Sequence, residues 1–315
     1  MPVVLGLDFG GTKIAAAVCE LSGRRLGEAT VAIDREQGAS GNLGLGIEAG
    51  RKLLVSLVPE DALVAVGACT FGIPTTRGIE LAPAIPGWGS LALEAELRVA
   101  FDGVEVVVAN DVKAAAAAEA RWGALAGCDP AVYLNLGTGL SVAIVCGGRV
   151  VQGAHGAAGE IAYNLRSVAD LGLVLEERVL LEDVVSGRAL AERGSRIAGR
   201  DVAPVELLEA DADGTATSGV LEDFLAELCF HMVNLAVTVD PARIAVGGGI
   251  VRSWDRVGPR LRGALVAGVP FPPELVVAAF PYDAPLVGAL ALGIGAARES
   301  QETGSLSTDR GRTSP

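Results

Sequence analysis

Three glycine-rich steps and a handful of carboxylates are the residues through which this chain could do chemistry. Asp8-Phe9-Gly10-Gly11-Thr12-Lys13 lies between two short apolar runs and so reads as a strand, glycine turn, strand hairpin. Residues without Cβ let backbone N–H groups close around phosphate oxygens. An acid before the glycines and Thr-Lys after them suit such a hairpin, with Asp8 near Mg²⁺ or its waters and Thr12 and Lys13 facing the phosphates. The glycines alone fit an ordinary turn equally well. Gly137-Thr138-Gly139 repeats the device, its Gly-Thr step 126 residues beyond Gly11-Thr12. Gly247-Gly248-Gly249 follows an apolar run and precedes a helical pattern, where backbone can approach a nucleotide closely or simply turn. Neither hairpin matches the GxxxxGK[ST] pattern. Gly44-Leu45-Gly46-Ile47-Glu48-Ala49 does fit GxGxxA, but no strand precedes it, so it is not a dinucleotide fingerprint.

Asn110-Asp111 falls where an apolar strand gives way to an alanine-rich helical run, a place where α/β proteins put working groups and also a place where Asn and Asp serve as plain caps. With a hydroxyl substrate there, Asp111 would be the base. The helix dipole is expected to keep it ionised, and a loose phosphoryl-transfer transition state needs only a weak base. Glu160, after the small-residue run 153–158, and Glu182 could accept hydrogen bonds from ligand hydroxyls. His155 is expected to be a loop residue, and His231 a surface partner of Glu227 four residues earlier. Trp88 is expected to be a packing anchor.

The elements that must position these groups follow from periodicity. Val3–Leu7 and Ile14–Val18 flank the first turn, and Ala131–Leu136 and Leu140–Val145 the second, with a further turn at Gly147-Gly148. Leu63–Cys69 and Val104–Ala109 read as strands buried on both faces of a parallel sheet. Helices are expected over 112–120, 180–198 and 220–239, and a strand over 244–246. The domain-sized offset of the hairpins argues for a duplicated α/β domain with a cleft between the halves. The tail after Glu299 has no aliphatic periodicity and is expected to be disordered.

At 315 residues, half of them hydrophobic and 20% charged, the chain has the length of about two domains and a globular composition. Its formal net charge of −13 is the wrong sign for binding nucleic acid or anionic lipid through the overall field, so an anionic ligand must be held locally. Cys19, Cys69, Cys128, Cys146 and Cys229 form no CxxC unit and read as reduced core thiols. The first residues lack a basic leader, and no uninterrupted apolar stretch of about 20 residues occurs. Cytoplasm is the expected compartment.

Taken in order, Leu7–Lys13, Ala82–Trp88, Ala109-Asn110-Asp111, Gly137-Thr138-Gly139, Gly153–Ile161, Leu181-Glu182 and Gly247-Gly248-Gly249 resemble the ROK family of bacterial sugar kinases and sugar-responsive repressors, in particular its glucokinase-like branch. The resemblance implies the two-lobed actin/Hsp70-like (ribonuclease H-like) ATPase fold, with residues 1–109 and about 285–299 in one lobe, 110–284 in the other and 300–315 as the tail. It implies ATP as donor, Mg²⁺ as helper and a homodimer. It assigns Asp111 as base on a sugar's primary hydroxyl, with Asn110, Glu160 and Glu182 on the other hydroxyls. Asp8, Gly10, Gly11, Thr12, Lys13, Gly137, Thr138, Gly139, Gly248 and Gly249 fall to the nucleotide and its metal.

The departures bear on the acceptor. Tyr163 stands where the family usually has a sugar-contacting histidine, and the cysteine-rich zinc loop that normally follows is replaced by 164–180, without Cys or His, so no structural zinc is expected. Thr75 replaces a glycine beside the sugar, and Ser141 and Val142 replace glycines of the second phosphate loop. Glucose is the default acceptor, with an amino sugar such as kanosamine or a seven-carbon cyclitol as alternatives. A non-catalytic sugar sensor is the competing class, and retention of Asp111 argues against it.

Overall fold

The computed structural model describes residues 1–59, 62–82, 85–209, 216–280 and 283–309. It divides into two compact units, Met1–Ala118 with Gln152–Ala157 and Asp283–Pro315, and Glu119–Val151 with Ala158–Tyr282.

In the first unit β1 (Val3–Phe9), β2 (Lys13–Glu20) and β3 (Arg25–Ala32) form an antiparallel meander, followed by α1 (Gly38–Leu57) and β4 (Leu63–Thr70). A small hairpin, β5 (Ile73–Pro74) and β6 (Ile79–Glu80), leads through α2 (Leu93–Ala100) to β7 (Glu105–Asn110) and α3 (Asp111–Trp122). The five-stranded sheet has the order β3-β2-β1-β4-β7, with β1, β4 and β7 parallel. Alternation along β1 explains its unbroken apolar run: Val3, Leu5, Leu7 and Phe9 enter one core, and Val4 enters a second on the opposite face. Trp88 is fully buried in the first core, stacked on Phe71 with its Nε1 donating to Thr70 Oγ1 at 2.9 Å, so it is a packing anchor. The discarded GxGxxA run lies inside α1.

The second unit repeats the plan. β8 (Ala131–Leu136), β9 (Leu140–Cys146) and β10 (Arg149–Val150) precede α4 (Gly187–Ala198), α5 (Pro204–Glu209) and α6 (Ala216–Val239), and then β11 (Arg243–Gly247), α7 (Trp254–Gly268) and β12 (Glu274–Val277). The order β10-β9-β8-β11-β12 repeats that of the first sheet, position for position. Phe224, Leu225, Leu228 and Met232 face its core from α6. The chain then returns to the first unit as α8 (Ala284–Asp309), whose Leu290 and Ile294 cover the face that includes Val4.

Several expectations are revised by packing that periodicity does not see. The helix expected over 180–198 begins only at Gly187: Leu181–Asp183 is a separate 3₁₀ turn, and the buried Ser186 caps α4 by accepting the Ala189 amide at 3.1 Å. His231 is no surface residue. It is buried, with Nδ1 3.4 Å from Asn164 Nδ2, while Glu227 pairs with Arg166, whose Nε donates to Oε2 at 2.6 Å. None of the five cysteines is in a disulfide, but only Cys19 and Cys69 are buried, and Cys146 is exposed. Residues 300–309, expected to be disordered, continue α8, because extending a helix already formed avoids the cost of nucleation. Residues 310–315 of that tail, and Pro83 and Ala84 of the sugar-side segment, lie outside the described residues. The boundary drawn after residue 109 falls instead within α3, and the loop Gln152–Ala157 goes with the first unit.

Candidate active site

Parallel pairing puts the acidic groups of the first unit on one sheet edge. Asp8 stands opposite Cys69, and Cys69 opposite Ala109; one step on, Phe9, Thr70 and Asn110 form the next row. Asp111 then opens α3 at the carboxyl end of β7, the position where open α/β sheets receive ligands. Asn110 Oδ1 accepts the Lys113 amide at 2.8 Å and so caps α3, while Asp111 Oδ1 accepts only the adjacent Val112 amide at 2.9 Å.

Burial dominates the electrostatics. It raises the pKa of Asp111 above the usual carboxylate value, against the backbone amides and the nearby charge of Lys113. The helix terminus is thus opposed by burial in setting the ionisation of this group. Burial also pushes Asp8 up to about 6, helped by the charge of Asp111 and opposed by Lys13 and by the Cys69 thiol, which donates to Oδ1 at 3.4 Å. Two neighbouring buried carboxylates of this kind fit a divalent cation, which would favour their ionised forms.

The first glycine turn closes through the Gly10 amide on the Lys13 carbonyl at 3.0 Å and leaves Gly11, Thr12 and Lys13 exposed. A Cβ placed on Gly11 would meet no protein atom within 4 Å, so the space beside it is open to a ligand.

In the second unit, Gly137-Thr138-Gly139 links β8 to β9, with the Gly137 carbonyl accepting the Gly187 amide at 2.8 Å and the Thr138 carbonyl the Arg188 amide at 3.3 Å. Gly248 has φ +89°, and a Cβ there would lie 2.4 Å from the Leu136 carbonyl, so only glycine fits. These turns border a cavity of about 520 Å³ lined also by Arg188, Pro204, Leu208, Arg252 and Ser253. That volume suits a nucleoside. The Ser253 hydroxyl is buried without a hydrogen-bond partner among the described residues, an acceptor and donor free for a ligand.

Glu160, Tyr163 and Glu182 come together in this unit. Burial raises the Tyr163 phenol above its ordinary pKa, and the charges of both glutamates add to the effect. Glu182 has work already: its Oε2 accepts the Leu140 amide at 2.8 Å and so braces the second glycine turn. Thr75 is similarly engaged, donating to the Gly78 carbonyl at 2.9 Å within the turn between β5 and β6, which leaves its hydroxyl poorly placed to donate to a sugar. Ser141 Oγ lies 3.5 Å from the Gly159 carbonyl, and the Val142 amide donates to that same oxygen at 3.0 Å, so the two substituted positions sit beneath the loop that presents Glu160. The segment replacing the zinc loop is tied to α6 by Arg166 and Glu227 and folded on itself by Ser167 and Asp170. Among the described residues there is no group of three or more His, Cys, Asp or Glu placed to hold a metal.

The sequence reading missed Lys113, Cys69 and Ser253. Lys113 had a signal, as the lone cation in an alanine-rich run. For Cys69 the signal was its register opposite Asp8, visible only once the strands are paired.

Comparison with known proteins bears on the family. The sequence model of the ROK family matches residues 4–295. A kanosamine kinase of Amycolatopsis mediterranei is 29% identical over 266 residues, covering 84% of this chain and 86% of the relative. A glucokinase of Streptomyces coelicolor is 30% identical over 278 residues, covering 82% and 85%. Among solved structures, a ROK family glucokinase from Streptomyces griseus in complex with glucose and AMPPNP superposes with a TM-score of 0.69 at 29% identity, covering 92% of this chain and 99% of that one.

Proposed function

This chain belongs to the ROK family, with its actin/Hsp70-like fold, and is an ATP-dependent sugar kinase; on that footing we propose that it phosphorylates the primary (6-) hydroxyl of a hexose or hexose analogue with Asp111 as general base. The observation that carries this reading is a buried carboxylate of raised pKa at the carboxyl end of a parallel strand. A base whose pKa is raised by burial accepts the hydroxyl proton more readily as the oxygen–phosphorus bond forms.

The second unit is the proposed nucleotide holder. Backbone N–H groups of the Gly137–Gly139 and Gly248-Gly249 turns approach the phosphates, and the cavity bounded by Pro204, Leu208 and Ser253 takes the nucleoside. Gly10, Gly11, Thr12 and Lys13 are assigned to the phosphates from the first unit. Asp8 would hold Mg²⁺ through water, and the ion would neutralise charge on the transferring phosphoryl group. Asn110, Glu160, Tyr163 and Glu182 are the proposed acceptor contacts, since amide and carboxylate oxygens are directional partners for vicinal hydroxyls and penalise analogues that leave them unpaired.

Glucose is the proposed default acceptor, and an amino sugar such as kanosamine, or a cyclitol, is the second reading, supported by the kanosamine kinase likeness and by Tyr163. An acceptor panel of glucose, mannose, glucosamine, kanosamine and cyclitols, read by ADP release, decides between them. Asp111→Asn is expected to lower turnover about a hundred- to ten-thousand-fold with sugar binding retained. Turnover close to wild type removes Asp111 from its role, and ADP release indifferent to every acceptor removes the kinase reading.

A homodimer is the proposed assembly, supported by Val168, Leu171, Val174, Val179 and Phe230, all exposed on the second unit. Cytoplasm is the proposed compartment, and among the described residues no helix is long and apolar enough to cross a membrane.

A further inference from the structure

Lys113 stands third in α3, two residues beyond Asp111, and is 1% exposed. Ala116, one turn on along the same helix face, is buried, as are Ala114, Ala115 and Ala118, so a Leu or Met would suit the position without the desolvation that a buried ammonium suffers. The long stem leads the ammonium out of that apolar setting to a defined acceptor: Nζ donates to the Gly156 carbonyl at 2.8 Å. Gly156 has φ +73°, and a Cβ on it would lie 3.1 Å from Ile73, so the loop is pressed against β5 on its other side. The loop Gln152–Ala157 packs with the unit that carries Asp111 although its chain neighbours on both sides belong to the second unit. Three residues after that loop comes Glu160.

We propose that Lys113 is a positioning residue for the acceptor, clamping the Gly153–Gly156 loop to the helix that presents Asp111. This inference rests on the sugar kinase reading above, and the two fail separately: normal turnover in Asp111→Asn strikes the base, whereas a normal acceptor KM in the Lys113 variants strikes only the clamp. A loop released from Lys113 no longer offers the acceptor a fixed wall, and misplacement of a bound substrate raises KM and lowers kcat together.

The test is steady-state kinetics of Lys113→Met, which keeps the stem and removes the ammonium. The acceptor KM is expected to rise about tenfold or more with kcat reduced, and by a much larger factor than the KM for ATP, because the cavity proposed for the nucleoside is lined by second-unit residues. Equal effects on both KM values, or an unchanged acceptor KM, overturn the proposal. Lys113→Ala, purified and assayed in methylammonium chloride against sodium chloride, keeps the question open to experiment should the Met variant not fold. Methylammonium lowering the acceptor KM in a saturable way supports the clamp, and a KM indifferent to the amine overturns it.

Discussion

At the scale of single residues, the two acidic groups at the sheet edge pull function and stability apart. Asp111 works as a base only when ionised, and burial raises its pKa above 3.8. Activity should therefore fall as pH drops through that raised value, giving an acid limb of kcat/KM displaced upward from that of an unburied aspartate. A profile with no acid limb contradicts the assignment. Asp8, raised to about 6, is expected to destabilise the ligand-free protein at neutral pH. The folded form holds a proton that the unfolded chain has already released, so the contribution of this one group to stability is greatest below about pH 4, declines as pH rises toward 6, and stays low above it. A shift of roughly 2 units corresponds to about 2–3 kcal/mol. Asp8→Asn should then raise the melting temperature by several degrees at pH 7.5 while abolishing turnover, and a melting temperature unchanged or lowered would refute the account. The places of both residues, at the end of one strand and the start of one helix, were legible from the apolar runs before them. Their electrostatics were not, because a cap position suggests a stabilised anion and only the packed neighbours reveal how much water has been removed.

At the scale of elements, the glycine turns and the helices expected over 112–120 and 220–239 are found where the sequence puts them, and one helix start is not. The strand, glycine, strand hairpins fell where alternation and Gly-Thr steps placed them, since short apolar runs between turn residues have few other solutions. The start of α4 did not, because Leu181, Val184, Val185, Ala189 and Leu190 keep a helical apolar rhythm across a break made by one capping serine. His231 was misplaced for a related reason: a polar residue four positions from a glutamate looks like a surface pair until a neighbouring segment claims that glutamate. Gly248→Ala tests the turn after β11. The positive φ and the contact with the Leu136 carbonyl predict a loss of about 2 kcal/mol or more, measured by urea denaturation, together with a raised KM for ATP. A variant as stable as wild type would mean that the backbone there relaxes freely.

At the scale of the whole molecule, one plan is used twice. The matching strand orders explain why two similar motifs at a domain-sized separation were enough to infer a duplicated α/β architecture. What the halves do with the plan differs: the first ends its parallel strands in carboxylates, the second in glycine turns around a cavity. The division of the chain between them was less legible, since α3 runs across the boundary without any break in composition. Assembly is a matter for the surface. Light scattering should return about twice the chain mass of 31.9 kDa, and Leu171→Glu with Val168→Glu should halve it. A monomeric wild type would leave those exposed apolar side chains to another role.

The contrast between Gly11 and Gly248 has a consequence for how mutations would be tolerated. Beside Gly11 there is empty space, so an alanine there leaves the polypeptide sound and offends only whatever visits from solution; beside Gly248 the chain itself is in the way. A saturation library sorted first for soluble expression and then for catalysis should lose Gly248 variants at the first gate and Gly11 variants only at the second, separating the glycines that architecture demands from those that a visitor demands.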